Sequence, residues 1–513
     1  MKAAFRFTTI TLLLAASNLP GATLYVSLET TNPTPPYTNW VTAATNIQDA
    51  VDAATVGDEV VVSNGVYASG GRVVSGTMTN RVAITNAVTV RSFRGPQFTL
   101  IEGWQVPGKT NGDSAIRCVY LTNGATLSGF TLTNGATRIY DDFINHTTDQ
   151  NCGGGVWCAS TTACVSNCVI AGSSSYWEGG GAYGGTLCDC TLSGNFASND
   201  HGGGAGRCTL YNCTLTKNWV GWDGGGAWEC TLYNCMLTTN SAGTEGGGAW
   251  DSTLYNCTLI GNVANGGGGA YTCSLYDCTL TGNRSVVGGG AYGSSLYNCI
   301  VYSNSTGGNS IGSTLNYCCT TPLPTNGVGN ISNAPLFIDY TNGNLHLQSD
   351  SPCINAGNNA YVTTTTDLDG NPRIVSGAVD IGAYEYQGTG SRISYAWLQQ
   401  YGLPTDGSAD FIDSDGDGMN NWQEWLCGTD PTDPLSVLRL LSPSITSTNV
   451  TVTWQSVAGV NYFLERSTNL TSPFTHLASF IMGQAGTTSY ADTNVAGAGQ
   501  MFYRVGVLPS GAN

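Results

Sequence analysis

The stretch Gly224-Gly-Gly-Ala-Trp-Glu-Cys-Thr-Leu-Tyr-Asn-Cys-Met-Leu-Thr-Thr-Asn240 is followed at once by a near copy, Gly246-Gly-Gly-Ala-Trp-Asp-Ser-Thr-Leu-Tyr-Asn-Cys-Thr-Leu-Ile-Gly-Asn262. Triple glycines start at Gly153, Gly179, Gly202, Gly224, Gly246, Gly267 and Gly288, so neighbouring copies are 26, 23, 22, 22, 21 and 21 residues apart. A fixed period in the low twenties marks a solenoid. Within each copy apolar and polar residues alternate, as in Cys235-Met-Leu237, which makes the rungs strands. The Leu-x-x-Leu-x-Leu spacing of a leucine-rich repeat is missing, so the spacing predicts a parallel β-helix.

A coil of this length holds three short strands, each pairing in parallel with its equivalent one turn along, and such crossovers are right-handed. Cys168, Cys190, Cys213, Cys235, Cys257, Cys278 and Cys299 form an inward column, with Leu192, Leu215, Leu237, Leu259 and Leu280 two residues later. Asn195, Asn218, Asn240, Asn262 and Asn283 end these strands, where an asparagine tolerates unusual dihedrals and hydrogen-bonds the next rung's backbone. The glycines suit corners where a Cβ would collide. These repeats resemble those of bacterial surface β-helix proteins, a resemblance of fold.

The chain has 513 residues, too many for one core, and acids outnumber bases 34 to 17 for a net charge of −17. That balance excludes binding to nucleic acid or an anionic membrane by charge. It disfavours polyanionic substrates unless a local basic groove or calcium bridges the repulsion. Lys2, Arg6 and the apolar run Phe7 to Ala16, with Pro20-Gly-Ala22 as a small-residue exit, read as an export signal over 1–22. The run is too short to span a bilayer and no transmembrane segment follows. A secreted, extracellular or cell-surface location is expected.

Nineteen cysteines in such a compartment would ordinarily mean a disulfide scaffold. Stacked cysteines on neighbouring parallel strands have poor disulfide geometry and behave as small hydrophobes. The pairs Cys208 and Cys213, Cys230 and Cys235, and Cys273 and Cys278 are better bridging candidates. No Cys-x2-Cys spacing supports zinc.

Residues 23–333 are assigned to the β-helix and its N-terminal cap. Asn46 to Ala54 is an amphipathic helix with Ile47, Ala50, Val51 and Ala54 on one face, placed to cover the open first coil. With Gly57-Asp-Glu-Val60, Asn64-Gly-Val-Tyr67 and Leu100-Ile101-x-Gly103, it resembles the cap of pectin-lyase-like β-helices. A charged loop, Arg138 to Gln150, interrupts the repeat. From Ala334 to Gln387 the motifs Ser351-Pro-Cys-Ile-Asn-Ala-Gly357, Thr366-Asp-Leu-Asp-Gly-Asn-Pro-Arg373 and Val379-Asp-Ile-Gly-Ala-Tyr-Glu385 resemble the choice-of-anchor Q module, here 334–388, which implies an end to the solenoid. Asp367, Asp369 and Asp380 read as turn caps or, alternatively, ion ligands.

Segment 389–434 contains Asp413-Ser-Asp-Gly-Asp-Gly-Met-Asn-Asn-Trp-Gln-Glu424, with oxygen ligands at positions 1, 3, 5 and 12 and a glycine at 6. That is calcium-loop spacing. Asp413, Asp415, Asp417 and Glu424 are the side-chain ligands, Met419 would lend its carbonyl, and Asn421 would act through water. With Gly428-Thr-Asp-Pro-Thr-Asp-Pro434 the segment resembles thrombospondin type 3 repeats, which implies a structural Ca2+ that stiffens a joint. Residues 435–513 show short alternating strands in the pattern of a small β-sandwich, resembling a fibronectin type III or immunoglobulin-like module. The expected fold is therefore all-β: a right-handed parallel β-helix, a short calcium-binding helical segment and a β-sandwich.

Two acidic columns stand beside an aromatic one. Glu178, Asp223 and Glu245, with His201, precede the triple glycines. Glu229 and Asp251 follow Trp157, Tyr183, Trp228, Trp250, Tyr271 and Tyr292, which alternation turns outward, with Trp177, Trp219 and Trp222 in nearby turns. Aromatic faces beside carboxylates suit sugars, and carboxylates one rung apart approach the spacing of a retaining glycosidase. The same columns also serve as plain packing. Catalytic candidates are Glu229, Asp251, Glu245 and Asp223; ligand-binding candidates are Trp228, Trp250, Tyr271 and Trp222. A secreted binder of extracellular polysaccharide or another surface ligand is expected; the alternatives are a glycoside hydrolase or polysaccharide lyase on the same flank, and a purely structural envelope protein.

Overall fold

The computed structural model describes residues 21–139, 148–305, 307–446, 449–468, 473–493, 495 and 500–507. The export signal therefore lies outside the described residues save for its last two positions, as do residues 140–147 of the charged interruption. The chain is a right-handed parallel β-helix with small antiparallel sheets after it. Among the described residues three long sheets of 12, 11 and 11 strands run the length of the solenoid, and a fourth of four strands joins them over the middle rungs. One rung visits all four in turn: Ala227–Trp228, Thr231–Tyr233, Met236–Thr238 and Ser241–Ala242. The fourth strand adds to the three expected from the spacing.

The registry is that of like on like. Leu232 pairs with Leu254 and Leu210, and Leu237 with Leu259 and Leu215. These leucines are fully buried, as are Cys235 and Cys257. Asn240 is also fully buried. Its amide donates to the Leu215 carbonyl at 2.9 Å and to Asn262 Oδ1 at 3.0 Å, and its Oδ1 accepts from the Asn218 amide nitrogens at 3.0 Å. The ladder thus reaches both neighbouring rungs. The left-handed dihedral assigned to this column falls one residue earlier, at Thr239 (φ 53°) and Lys217 (φ 55°). Gly225 shows why the triple glycines are needed: a Cβ there would sit 2.4 Å from the Gly247 carbonyl oxygen.

All nineteen cysteines are free thiols, which overturns bridging within the pairs 208/213, 230/235 and 273/278. Within the repeat columns the thiols hydrogen-bond the backbone of their own and neighbouring rungs. Cys235 Sγ donates to the Tyr233 carbonyl at 3.2 Å and accepts the Cys213 N–H at 3.4 Å. In the second column Cys230 Sγ donates to the Trp228 carbonyl at 3.1 Å, and one rung on Ser252 Oγ donates to the Trp250 carbonyl at 2.9 Å and accepts the Cys230 N–H at 3.0 Å. Serine and cysteine thus fill one role, a small buried donor–acceptor. Burial pushes the Cys273 thiol in this column up to about 12.

Helix α1 (Ile47–Ala53) is capped by Asn46, whose side chain accepts the Asp49 N–H, and buries Ile47, Ala50 and Val51 on the first coil. Helix α2 (Thr148–Asn151) precedes the first triple glycine. Residues 334–388 pack along the outer side of the last rungs. Asn256 Nδ2 donates to the Thr366 carbonyl at 2.6 Å, Asn298 Oδ1 accepts the Asn358 N–H at 2.8 Å, and buried Arg373 lies 3.3 Å from Asp277. Asp367 and Asp380 are buried turn caps: Asp367 accepts the N–H groups of Asp369, Asn371 and Glu385, and Asp380 those of Asn355 and Tyr386. Helices α3 (Tyr395–Gln400) and α4 (Asn421–Cys427) follow. Beyond them two three-stranded antiparallel sheets enclose Trp454, Tyr462 and Leu464. Among the described residues no helix is long and apolar enough to cross a membrane.

Candidate functional site

The turn before each triple glycine is an outer corner, and successive rungs stack its side chains. His201 bridges to Asp223 in parallel register and Glu245 to Gly266. The aromatic column beside this corner has one gap, Gly206, which pairs with Tyr183 on one side and Trp228 on the other. The His201 ring fills in over the next two rungs, its centroid 5.0 Å from both Trp228 and Trp250. Its Nε2 is 2.8 Å from Asp200 Oδ1, and its Nδ1 is 3.4 Å from Asp223 Oδ2. Asp223 is anchored by the Thr244 hydroxyl and by the Glu245 N–H at 3.0 Å.

The electrostatics follow from crowding. Burial lowers the basicity of His201, yet the hydrogen bond and charge of Asp200, with Asp223 and Glu178, raise it overall. Burial pushes Glu178 up to about 7, against the pull of Arg207 and with a further push from Asp200. One Glu178 oxygen also accepts from Cys152 Sγ at 3.8 Å. A carboxyl raised to about 7 and an imidazole raised above its ordinary value therefore share one corner. Tyr271 is pushed up to about 12 by burial and by its hydrogen bond to Glu245.

The structure brings Asp223, Glu245, Trp228, Trp250 and Tyr271 together around His201. Glu229 and Asp251 follow the indoles directly, and Glu229 is still close enough to Glu178 to help raise it. Both acids after the indoles sit at left-handed positions (φ 45°) in the next turn, and Arg207, one rung before, meets Glu229 at 3.0 Å while its guanidinium lies 4.7 Å over the Trp228 ring. That cross-rung ion pair gives Glu229 a basic partner, with both side chains partly exposed. Trp228 needs correction as a ligand-facing ring: under Arg207 and His201 it is only 3% exposed. The open aromatic surface lies one turn away, where Trp222 is 57% exposed and Trp219, 44% exposed, stacks on Phe196 at 4.5 Å. Sequence reasoning placed Glu178 and His201 in the right column but missed Asp200; the signal was its place beside His201 in the rung that lacks an acid. It also missed the outward tyrosine ladder Tyr211, Tyr233, Tyr255, Tyr276 and Tyr297, stacked at 4.8–5.1 Å and legible as the Leu-Tyr of five successive rungs.

The acidic loop is a second, separate site. Asp413, Asp415 and Asp417 each offer an oxygen, all within 4.8 Å of one another. The loop backbone holds them in place: Asp413 accepts the N–H groups of Gly416 and Gly418, one on each oxygen, Asp415 that of Asp417, and Asp417 that of Met419. Asp415 Oδ2, Asp417 Oδ2 and both oxygens of fully buried Glu424 have no partner among the described residues. Burial, reinforced by the three aspartates, pushes Glu424 up to about 7. Buried carboxylate oxygens without partners fit a bound cation.

No family model matches the chain, and no curated protein is similar to it. Solved structures with a comparable coil include pectate lyase Pel9A (11% identity, 71% of this chain and 96% of that one, TM-score 0.45). A rhamnogalacturonan lyase shares 12% identity over 70% of this chain and 90% of its own, with a TM-score of 0.31. The tailspike protein gp49 from Acinetobacter baumannii bacteriophage Fri1, a capsular polysaccharide depolymerase, shares 11% over 96% of this chain and 87% of its own, with a TM-score of 0.28. Likeness at this level concerns the coil, and the site stands on its own residues.

Proposed function

We propose that this is a secreted β-helix protein that binds extracellular polysaccharide along the flank spanning Glu178 to Tyr271. The observation that carries the reading is the pairing of exposed indoles, Trp219 and Trp222, with the acid–histidine corner beside them. Indole faces stack on the C–H faces of sugar rings, and carboxylates accept from sugar hydroxyls. Calcium in the loop of Asp413, Asp415, Asp417 and Glu424, with the Met419 carbonyl, stiffens the joint between solenoid and C-terminal sandwich.

A second reading, glycoside hydrolysis, is favoured by one observation: Glu178 holds its proton to about pH 7, as a general acid must, with Asp223 and Glu245 on the same corner. One experiment tests both. The purified protein is incubated with a panel of plant, algal and capsular polysaccharides, and retention and new reducing ends are read together. Retention that Trp222→Ala weakens at least tenfold supports binding; retention unchanged by Trp219→Ala and Trp222→Ala rejects this flank. Reducing ends that vanish in Glu178→Gln would make the protein a hydrolase.

A further inference from the structure

A cleft of about 520 Å³ opens between the 334–388 module and helix α4, far from the flank in sequence. One wall is the turn Ser376-Gly377-Ala378, held by Asn359, whose side chain donates to the Gly377 carbonyl and accepts the Val379 N–H, both at 2.9 Å. Trp422, Trp425 and Leu426 of α4 line it as well, the two indoles 5.1 Å apart and inclined at 44°. Arg392 also lines it. Its backbone is fixed by the Asp410 carboxylate at 3.0 Å, while its guanidinium makes no ion pair among the described residues.

The polarity of this lining departs from that of the chain. Acids outnumber bases two to one in the whole sequence, 34 to 17, yet no carboxylate lines the cleft and its one charge is cationic. The side-chain polar groups not used internally are donors: the Arg392 guanidinium, the Ser376 hydroxyl and the indole N–H groups. Ser376 is held at φ 59°, a left-handed conformation unusual for serine, at the tip of the wall. A free guanidinium recognises a carboxylate by paired hydrogen bonds, and two indole faces recognise a ring. The volume is that of a small-ligand site, and the position, at a junction of modules, is where such sites form.

We propose that this cleft binds a ligand bearing one carboxylate on a ring with an apolar face, the carboxylate on Arg392 and Ser376 and the ring against Trp422 and Trp425. Two sources carry that chemistry, a uronic-acid sugar and an aromatic monocarboxylate. Calorimetric titration of the full chain in calcium buffer with galacturonate monosaccharide and, separately, with indole-3-acetate distinguishes them. Saturable binding of one, at least tenfold weaker for its uncharged ester or amide, is expected. Arg392→Gln, an exposed position whose change leaves the packing intact, should weaken it at least tenfold, and Ser376→Ala by a smaller factor. Trp222→Ala on the flank should leave it unchanged, which separates this site from the proposed polysaccharide surface. No binding of either probe, equal binding of the neutral counterpart, an unaffected Arg392→Gln, or loss through Trp222→Ala would each overturn the assignment.

Discussion

The rungs around Asn240 and the loop around Glu424 both bury polar side chains completely, and they satisfy them in opposite ways. Asn240 meets its own kind above and below, so donors and acceptors are matched by the repeat itself. Glu424 faces other acids, Asp415, Asp417, Asp413 and Asp430, and its oxygens have no hydrogen-bond partner among the described residues. A periodic sequence closes its polar accounts through register. The aperiodic loop has no such register, and its oxygens suit a cation as partner.

The largest test of this contrast is Asn240→Leu. It removes the partner of the Asn218 backbone N–H and side-chain amide and of the Leu215 carbonyl. At about 1–3 kcal/mol for each buried group left unpaired, a loss of more than about 3 kcal/mol is expected in denaturant unfolding; a loss below about 1 kcal/mol would show that the ladder is ornamental. Next comes the loop. With calcium at about a hundredfold excess over its dissociation constant, folding gains ~2.7 kcal/mol, so chelator should lower the melting of residues 389–434 and leave the solenoid transition in place. Glu424→Gln should erase that difference, and identical melts with and without calcium would remove the ion.

Smaller effects sharpen the comparison inside the solenoid. Cys230→Ser should cost within about 1 kcal/mol, because Ser252 already occupies that column, whereas Cys230→Ala leaves the Cys208 N–H without its acceptor and should cost about 1–2 kcal/mol more. Equal costs would mean that the thiols act only as volume. On the flank the expected signal is a slope. Glu178 in the folded protein is raised from 4.5 to about 7, so the folded state holds this proton more tightly than the unfolded chain. Its contribution is fully present below pH 4.5 and is lost as pH rises through about 7. His201, raised above 6.5 among Asp200, Asp223 and Glu178, adds a loss of the same sign as pH rises past 6.5. Thermal melts of Glu178→Gln across this range should be flatter than those of the wild type, and parallel curves would sink the assignment.

Much was legible before any coordinates. The coil, its inward cysteine and leucine columns, the asparagine ladder, the capping helix and the calcium-loop spacing all follow from period and alternation, because in a solenoid residues one period apart are neighbours by construction. The same arithmetic placed His201 with Glu178, Asp223 and Glu245. It did not show that Arg207 would answer Glu229, that Gly206 would leave a gap for an imidazole, or that Trp228 would end beneath both. Nor did it show that residues 334–388 lie along the last rungs, where Arg373 meets Asp277.

By itself, then, the sequence determined the architecture and the columns, since repetition turns sequence distance into spatial distance. Only the tertiary structure decided which acids gain a basic partner, which indoles reach solvent, and where a cationic cleft forms in an acidic chain. Those properties depend on side-chain contacts that the period does not specify: Arg207 with Trp228, His201 with Trp250, and Arg392 sharing one cleft with Trp422 and Trp425.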